Sequence, residues 1–361
     1  MPALWIALGF VVLIGGGELL VRGASQLALA MKISPLVVGL TVVAFGTSAP
    51  ELAVSLQAAF LNQADIAVGN VVGSNIVNVL FILGLSAVVA PLLVTRQLIR
   101  VDTPLMVFAS VLVWGLGFDG KISRIEGLVM FFMLVIYVVW LIRQSRKEQK
   151  AVQAEFPEVF VPARAESLKL LGINVALITV GLVLLALGAR WLVDGSVSIA
   201  RTLGVSELII GLTIVAVGTS LPECATSILA SIRGERDIAV GNVVGSNIFN
   251  IFCVLGLSGV ISPSGMVMIS NTALQFDIPI MIVVAVACLP VFITGQEITR
   301  WEGGLFVIYY GLYVAYLILA ATSSTATASF GNLILFGAIP ITLVILIVSF
   351  VQSCRKEVVR T

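Results

Sequence analysis

Long apolar stretches, each about the length of a membrane-crossing helix, recur along almost the whole chain of 361 residues. A helix needs roughly 20 consecutive apolar residues to cross a hydrocarbon layer of about 30 Å. The first stretch has no Lys or Arg ahead of it, unlike a cleaved signal peptide, and is interpreted as a span. The pattern predicts eleven spans near residues 3–21, 36–60, 66–90, 103–118, 126–142, 170–189, 208–232, 238–261, 276–294, 303–321 and 331–352.

Two polar segments divide this pattern. Residues 143–169 mix both charges and form the longest polar segment, which is too short for a domain with its own core. The run TSSTATAS at 322–329 precedes the last span. The predicted organisation is a first repeat at 1–147, a cytoplasmic linker at 148–169, a second repeat at 170–322, and an extra span with a cytoplasmic tail at 323–361.

Composition supports a multi-span membrane protein whose partner is the lipid bilayer. Residues of the hydrophobic types make up 59% of the chain and charged residues only 11%, which is unlike a soluble domain. The net charge of +1 predicts no nucleic-acid partner. There is no histidine, and the four cysteines are scattered without a CxxC pair, so no cofactor is predicted and polar chemistry must use oxygen ligands.

The distribution of Lys and Arg predicts the orientation. With eleven spans, four of the 20 basic residues fall on the N-terminal side of the membrane and sixteen on the other. The positive-inside rule then puts the N-terminus outside and the C-terminus in the cytoplasm, in the cell (inner) membrane.

An internal repeat organises the spans. Residues 39–91 align without a gap on residues 211–263, and 32 of the 53 positions are identical. Weaker matches outside this block extend each copy to about five spans. Because five is odd, the second copy enters the membrane inverted relative to the first, which is typical of secondary transporters with a substrate site at the midplane.

Each repeat carries a proline beside a glutamate within an apolar span, in GTSAPE at 46–51 and GTSLPE at 218–223. Proline lacks an N–H and clashes with the carbonyl four residues earlier, so each span is expected to break there. Irregular backbone at membrane depth is tolerated only where it is buried in protein or lines a cavity. The motif therefore predicts a carboxylate, hydroxyls and freed carbonyls gathered at one point of each repeat.

The following span adds oxygen ligands in both copies. In GNVVGSNI-x-N, Ser74 lies one turn from Asn78, and Ser246 lies one turn from Asn250. Glycines at four-residue spacing, Gly69 and Gly73 with their counterparts at 241 and 245, predict close helix approach. Calcium takes 6–8 oxygen ligands, and two buried carboxylates are neutralised by one divalent ion or by two or more monovalent ions.

These paired motifs resemble the alpha-repeats of the cation/calcium exchanger superfamily, and most of all its bacterial sodium/calcium exchanger branch. The resemblance implies an all-α polytopic membrane protein with two inverted five-helix repeats, in which spans one and six slide across the core. It implies that calcium and sodium are the transported ions, with Glu51 and Glu223 as central ligands. The other implied ligands are the carbonyls of Ala44 and Ala216, the carbonyls and hydroxyls of Thr47 and Thr219, the hydroxyls of Ser48, Ser220, Ser74 and Ser246, and the central amides of Asn78 and Asn250.

The chain departs from that family in three respects. It has asparagine at both central positions, where some relatives carry one aspartate, it lacks the long cytoplasmic calcium-sensor domains of animal relatives, and its eleventh span exceeds the ten-helix core. The hypothesis is therefore a calcium/sodium antiporter, with a proton/calcium antiporter on the same scaffold as the alternative. A passive channel is disfavoured by the inverted repeat, and an enzyme by the lack of a nucleophile–base pair.

Other acidic residues are interpreted as structural. Asp65 and Asp237 are predicted as N-caps of the third and eighth spans, where a short polar side chain satisfies free backbone N–H groups. Ser123 with Glu126, and Thr299 with Glu302, fit the S/T-x-x-E capping box at the start of the fifth and tenth spans.

Overall fold

The computed structural model describes residues 2–155, 168–322 and 324–342, which are almost entirely helical. The first half of the chain forms α1 (Pro2–Met31), α2 (Pro35–Thr47), α3 (Ala49–Phe60), α4 (Ala64–Val89), α5 (Leu98–Asp119) and α6 (Arg124–Glu155). The second half forms α7 (Leu168–Thr202), α8 (Glu207–Ile210, Gly211–Val215 and Ala216–Gly218 in succession), α9 (Leu221–Ile232), α10 (Arg236–Ile261), α11 (Ala273–Ile293), α12 (Arg300–Ala321) and α13 (Thr327–Thr342).

Among the described residues, eight of these helices are long and apolar enough to cross a membrane, and α2 with α3 forms a ninth, bent span. The span predicted at 208–232 is divided between α8 and α9, each shorter than a full crossing. α13 begins the predicted eleventh span, whose remainder after residue 342 lies outside the described residues. The predicted linker begins as a helix, because α6 continues to Glu155, and its residues 156–167 also lie outside the described part. The chain is an all-α polytopic membrane protein.

The predicted break within the second span is confirmed. α2 and α3 are inclined by 48° and separated at Ser48, which leaves the helical backbone conformation. Pro50 lies in the first turn of α3, and Pro222 occupies the same place in α9. Proline is favoured in a first helical turn because its missing N–H would have no partner there. Each motif therefore ends one helix and starts another within the span.

α4 and α10 form the centre of the molecule. Of their most apolar 18-residue windows, 78% and 83% are buried by other parts of the protein, against 33% in α1 and 22% in α7. Both central helices contain a π-helical segment within two residues after the GNVVGSNI sequence, at Val77–Leu83 and Asn250–Leu255. Such wider turns free backbone carbonyls from the regular helical ladder and are frequent at functional sites.

α1 and α7 pack antiparallel against each other through glycines. A Cβ atom on Gly16 would lie 2.7 Å from the backbone nitrogen of Leu185, and one on Gly188 would lie 2.6 Å from that of Leu13. These distances leave no space for a side chain, so the two backbones approach as closely as small residues permit. Within α1, Glu18 also forms an ion pair of 2.6 Å with Arg233, which follows α9.

Two short antiparallel sheets join the repeats to each other. β1 (Leu92–Leu93) pairs with β4 (Glu297–Ile298), and β2 (Lys121–Ser123) pairs with β3 (Met266–Met268). Each sheet takes the strand after the third span of one repeat and the strand before the fifth span of the other. The two sheets are thus equivalent to each other, with the roles of the two repeats exchanged.

The caps follow the sequence in part. Both capping boxes are confirmed, since the backbone N–H of Ser123 donates to Glu126 and that of Thr299 donates to Glu302 at 2.8 and 2.9 Å. The N-cap prediction for Asp65 and Asp237 was wrong, because α4 and α10 begin one residue earlier and both aspartates lie inside the first turn. There they still face the positive end of the helix dipole.

Candidate functional site

Glu51 and Glu223 are the centre of the candidate site. Each lies in the first turn of the helix that follows a motif break, α3 for Glu51 and α9 for Glu223, and each is fully buried. The N-terminal ends of these helices carry free N–H groups and a partial positive charge that favour an anion. Neither carboxylate has a Lys or Arg partner among the described residues.

Serines of the opposite repeat bind these carboxylates. The hydroxyl of Ser48 donates to Oε1 of Glu223 at 2.9 Å, and the hydroxyl of Ser220 donates to Oε1 of Glu51 at 2.9 Å. Ser74 adds a longer bond of 3.4 Å to the same oxygen of Glu51. The second oxygen, Oε2, of both glutamates is buried and has no hydrogen-bond partner. The two breaks thus meet, and each repeat donates a serine hydrogen bond to the glutamate of the other.

The threonine hydroxyls contact asparagine side chains of the opposite repeat. The hydroxyl of Thr47 bonds Oδ1 of Asn242 at 3.0 Å and also lies 3.1 Å from the carbonyl of Val43. Thr219 is 3.5 Å from Oδ1 of Asn70. Asn242 and Asn70 in turn donate to the backbone carbonyls of Glu223 and Glu51. The threonine hydroxyls therefore hold the helix ends that carry the glutamates.

The remaining predicted ligands also surround the breaks. Ala44 begins the last turn of α2, where its carbonyl accepts the N–H of Ser48, and Ala216 begins the last segment of α8. Ser246 is buried with an unpartnered hydroxyl. Asn78 and Asn250 are buried side chains whose Oδ1 atoms have no partner. Among the predicted ligands, five oxygens are thus buried without partners, two from carboxylates, two from amides and one from a hydroxyl.

Sequence reasoning missed a set of amides and hydroxyls that support the site. Asn70 and Asn242 bridge from the glutamate backbone to Ser55 and Ser227, at 2.8 and 2.9 Å. Asn75 and Asn247 bond the central asparagines of the opposite repeat. A signal was present, because all four amides belong to DIAVGNVVGSNI, the block that occurs unchanged in both repeats.

The two repeats differ in how the first half of each broken span packs. A Cβ on Gly241 of α10 would lie 2.8 Å from the carbonyl of Leu36, and one on Gly39 of α2 would lie 2.9 Å from the carbonyl of Ile238. The predicted close approach is confirmed there. At the equivalent glycines of α4, Gly69 and Gly73, no described atom would lie within 4 Å of a Cβ. α2 therefore packs tightly on α10, whereas α4 shows no such close approach at Gly69 and Gly73 among the described residues.

The chemistry of these groups fits a hard cation. All donors that converge on the glutamates are oxygens or neutral amides, and the described ranges contain no group of three or more His, Cys, Asp or Glu side chains placed to hold a metal ion. Calcium and sodium prefer such oxygen ligands to nitrogen or sulfur. The two negative charges of the glutamate carboxylates are enough to neutralise one divalent cation.

Comparisons with known proteins agree with this arrangement. The sequence model of the family described as "Sodium/calcium exchanger protein" matches residues 1–143 and 173–319. The inner membrane protein YrbG of Escherichia coli is 38% identical over 284 residues, covering 78% of this chain and 85% of its own. The sodium/calcium exchanger MaX1 of Methanosarcina acetivorans is 34% identical over 345 residues, covering 87% and 97%. A solved structure of the sodium-calcium exchanger NCX_Mj superposes with a TM-score of 0.74 at 29% identity, covering 87% of this chain and 98% of that one.

Proposed function

Because the chain belongs to the sodium/calcium exchanger protein family, we propose that it is a secondary active antiporter that exchanges calcium for sodium at Glu51 and Glu223. The observation that carries this proposal is the crossed pair of bonds from Ser48 to Glu223 and from Ser220 to Glu51. These bonds bring two buried carboxylates without basic partners to the point where the repeats meet.

Charge neutralisation gives the coupling. Removing a carboxylate from water costs roughly several kcal/mol unless the charge is paired. One calcium ion, or two or more sodium ions, neutralises both glutamates and lowers that cost. A loaded site then crosses between the two access states, while an empty site resists the crossing. This difference produces exchange rather than leak.

The proposed ligands are the oxygens that surround the glutamates. The unpartnered Oε2 atoms of Glu51 and Glu223 are the natural contacts for calcium. The remaining proposed ligands are the carbonyls of Ala44 and Ala216, the carbonyls and hydroxyls of Thr47 and Thr219, the hydroxyls of Ser48, Ser220, Ser74 and Ser246, and the amide oxygens of Asn78 and Asn250.

Alternating access would use the inverted repeats. Tight packing of α2 on α10, with no equivalent packing at Gly69 and Gly73, supports a state in which one side of the site is closed. In the opposite state, open to the other side of the membrane, the two repeats would exchange roles. α1 and α7, which meet through glycine backbones, are proposed to slide together over the core between these states.

We further propose that the repeats occupy residues 1–147 and 170–322, joined by a cytoplasmic linker at 148–169 and followed by an extra span and tail at 323–361. The N-terminus would lie outside the inner membrane and the C-terminus in the cytoplasm. The basis is the uneven distribution of Lys and Arg between the two sides.

The coupling ion is tested by comparing two driving forces in proteoliposomes of the purified protein. Calcium-45 uptake is expected to follow an outward sodium gradient at constant pH. It is expected to ignore a pH gradient in sodium-free buffer. Uptake driven by the pH gradient alone would instead identify a proton/calcium antiporter, since carboxylates also bind protons.

A further inference from the structure

Four buried asparagines form two hydrogen-bonded pairs across the repeats. Nδ2 of Asn78 in α4 donates to Oδ1 of Asn247 in α10 at 3.0 Å. Nδ2 of Asn250 in α10 donates to Oδ1 of Asn75 in α4 at 3.1 Å. The outer members of the pairs are Asn75 and Asn247, and the inner members are Asn78 and Asn250. Only the inner members have amide oxygens left without partners.

The direction of the bond between Asn250 and Asn75 follows from groups that can only accept. Nδ2 of Asn75 lies 3.3 Å from the backbone carbonyl of Asn247 and 3.5 Å from Sδ of Met281. A carbonyl and a thioether both lack a proton to donate, so the NH₂ end of Asn75 must face them. Oδ1 of Asn75 then faces Asn250 and can only accept. Asn250 must therefore present its own NH₂ group to Asn75, and its oxygen points away.

The bond between Asn78 and Asn247 has the corresponding direction for the same reason. Nδ2 of Asn247 lies 3.3 Å from Sδ of Met106, which occupies the position in α5 that Met281 occupies in α11. The thioether fixes the amide of Asn247, and Oδ1 of Asn247 then accepts from Asn78. Each of the two series of hydrogen bonds thus runs from a methionine through an outer asparagine to an inner one.

We propose that Asn75 and Asn247 are positioning residues that force the amide oxygens of Asn250 and Asn78, rather than their NH₂ groups, toward the transported cation. An amide rotated by half a turn would direct two N–H donors at a positive ion, which is repulsive, while the shape of the side chain stays the same. The outer asparagines supply an orientation that packing alone does not. This inference rests on the proposed cation site and assigns a role within it.

The test is a double-mutant cycle on calcium affinity, measured by isothermal titration of the purified protein in detergent with calcium chloride. Asn247→Ala and Asn78→Ala are each expected to weaken calcium binding about tenfold, the size expected when one oxygen contact to an ion is lost. The double variant is expected to bind like Asn78→Ala alone, because Asn247 acts only through Asn78. Additive losses in the double variant would overturn the proposal.

Two further variants separate positioning from folding. Met106→Leu keeps the side-chain volume but removes the thioether, and is expected to weaken calcium binding. Met281→Leu is expected to have a smaller effect, because Asn75 keeps the backbone carbonyl of Asn247 as a second acceptor. Equal effects of the two leucine variants would contradict the proposed positioning by the outer asparagines. Ser258→Ala, at a buried hydroxyl of α10 that bonds only its own helix, is the control for general loss of packing.

The outcomes distinguish this inference from the proposed function. If the unaltered protein binds no calcium, the proposed function fails. If the unaltered protein binds calcium and Asn247→Ala binds it equally well, only the proposed positioning role of the outer asparagines is wrong.

Discussion

Ser48 of the first repeat donates a hydrogen bond of 2.9 Å to Glu223 of the second, across 175 residues of sequence. Its counterpart runs from Ser220 to Glu51 at the same distance. The contact fixes how the two broken spans meet. It leaves each glutamate one buried oxygen without a partner, so both carboxylates are expected to be equally necessary for transport.

Replacing either glutamate by its amide tests that expectation. Glu51→Gln and Glu223→Gln are each expected to abolish calcium uptake, because one negative charge no longer neutralises a divalent ion. Insertion and folding should persist, since glutamine still accepts the serine hydrogen bond; gel filtration of the purified variants checks this. Glu148→Gln, at an exposed residue of α6 that bonds Gln144, is the matched control. Near-normal uptake by either site variant would refute the assignment.

Transport is expected not to require potassium. Asn78 and Asn250 contribute an oxygen but no charge, so the centre carries at most two negative charges and has none left to balance an additional monovalent ion. The measurement is calcium uptake into sodium-loaded vesicles with either choline or potassium outside, with the membrane voltage clamped separately. An absolute potassium requirement would mean that a further acid, such as Asp65 or Asp237, joins the site.

The interface of α1 with α7 is expected to tolerate no added methyl group. Gly16→Ala would place a Cβ 2.7 Å from the backbone of Leu185, and overpacking of this kind costs about 1–3 kcal/mol. The neighbouring Gly15 has no described atom within 4 Å of a Cβ, so Gly15→Ala is the control. Thermal unfolding in detergent and calcium uptake should both suffer in Gly16→Ala only. Equal behaviour of the two variants would show that this contact does not limit stability or movement.

The orientation is tested by labelling two exposed loops. Asp119→Cys, beside β2, should react from outside intact cells with a membrane-impermeant maleimide. Gln296→Cys, beside β4, should react only after the membrane is opened. Cys224, Cys253 and Cys288 are buried, and Cys354 is replaced by serine in both variants. A reversed pattern would overturn the assignment from Lys and Arg. A reporter fused after Thr361 should be cytoplasmic, and an external signal there would mean that 331–352 does not span.

The sequence was sufficient for some of the features that repeat in it. The break at Ser48 followed from Pro50, and the approach of α2 to Gly241 followed from glycine spacing. These effects depend on the backbone and side chain of a few neighbouring residues, so local chemistry predicts them.

Other features depend on contacts that local chemistry does not encode. The strands β1 to β4 have two or three residues each, too few to show an alternating pattern. The different packing at Gly69 and Gly241 lies beyond the sequence, because the flanking residues of the two copies are identical and only the conformation separates them. Asn75 and Asn247 were visible as repeated residues, but their partners, Met281 and Met106, lie on α11 and α5.

The central claim is that calcium and sodium compete for one buried site with two glutamates. The most direct test measures calcium-45 uptake and sodium-22 efflux together, in sodium-loaded proteoliposomes, while the external sodium concentration is raised. We predict that calcium enters only when sodium is inside, that sodium leaves as calcium enters, and that external sodium inhibits uptake competitively. Calcium entry into vesicles without internal sodium, or entry unaffected by external sodium, would contradict the account.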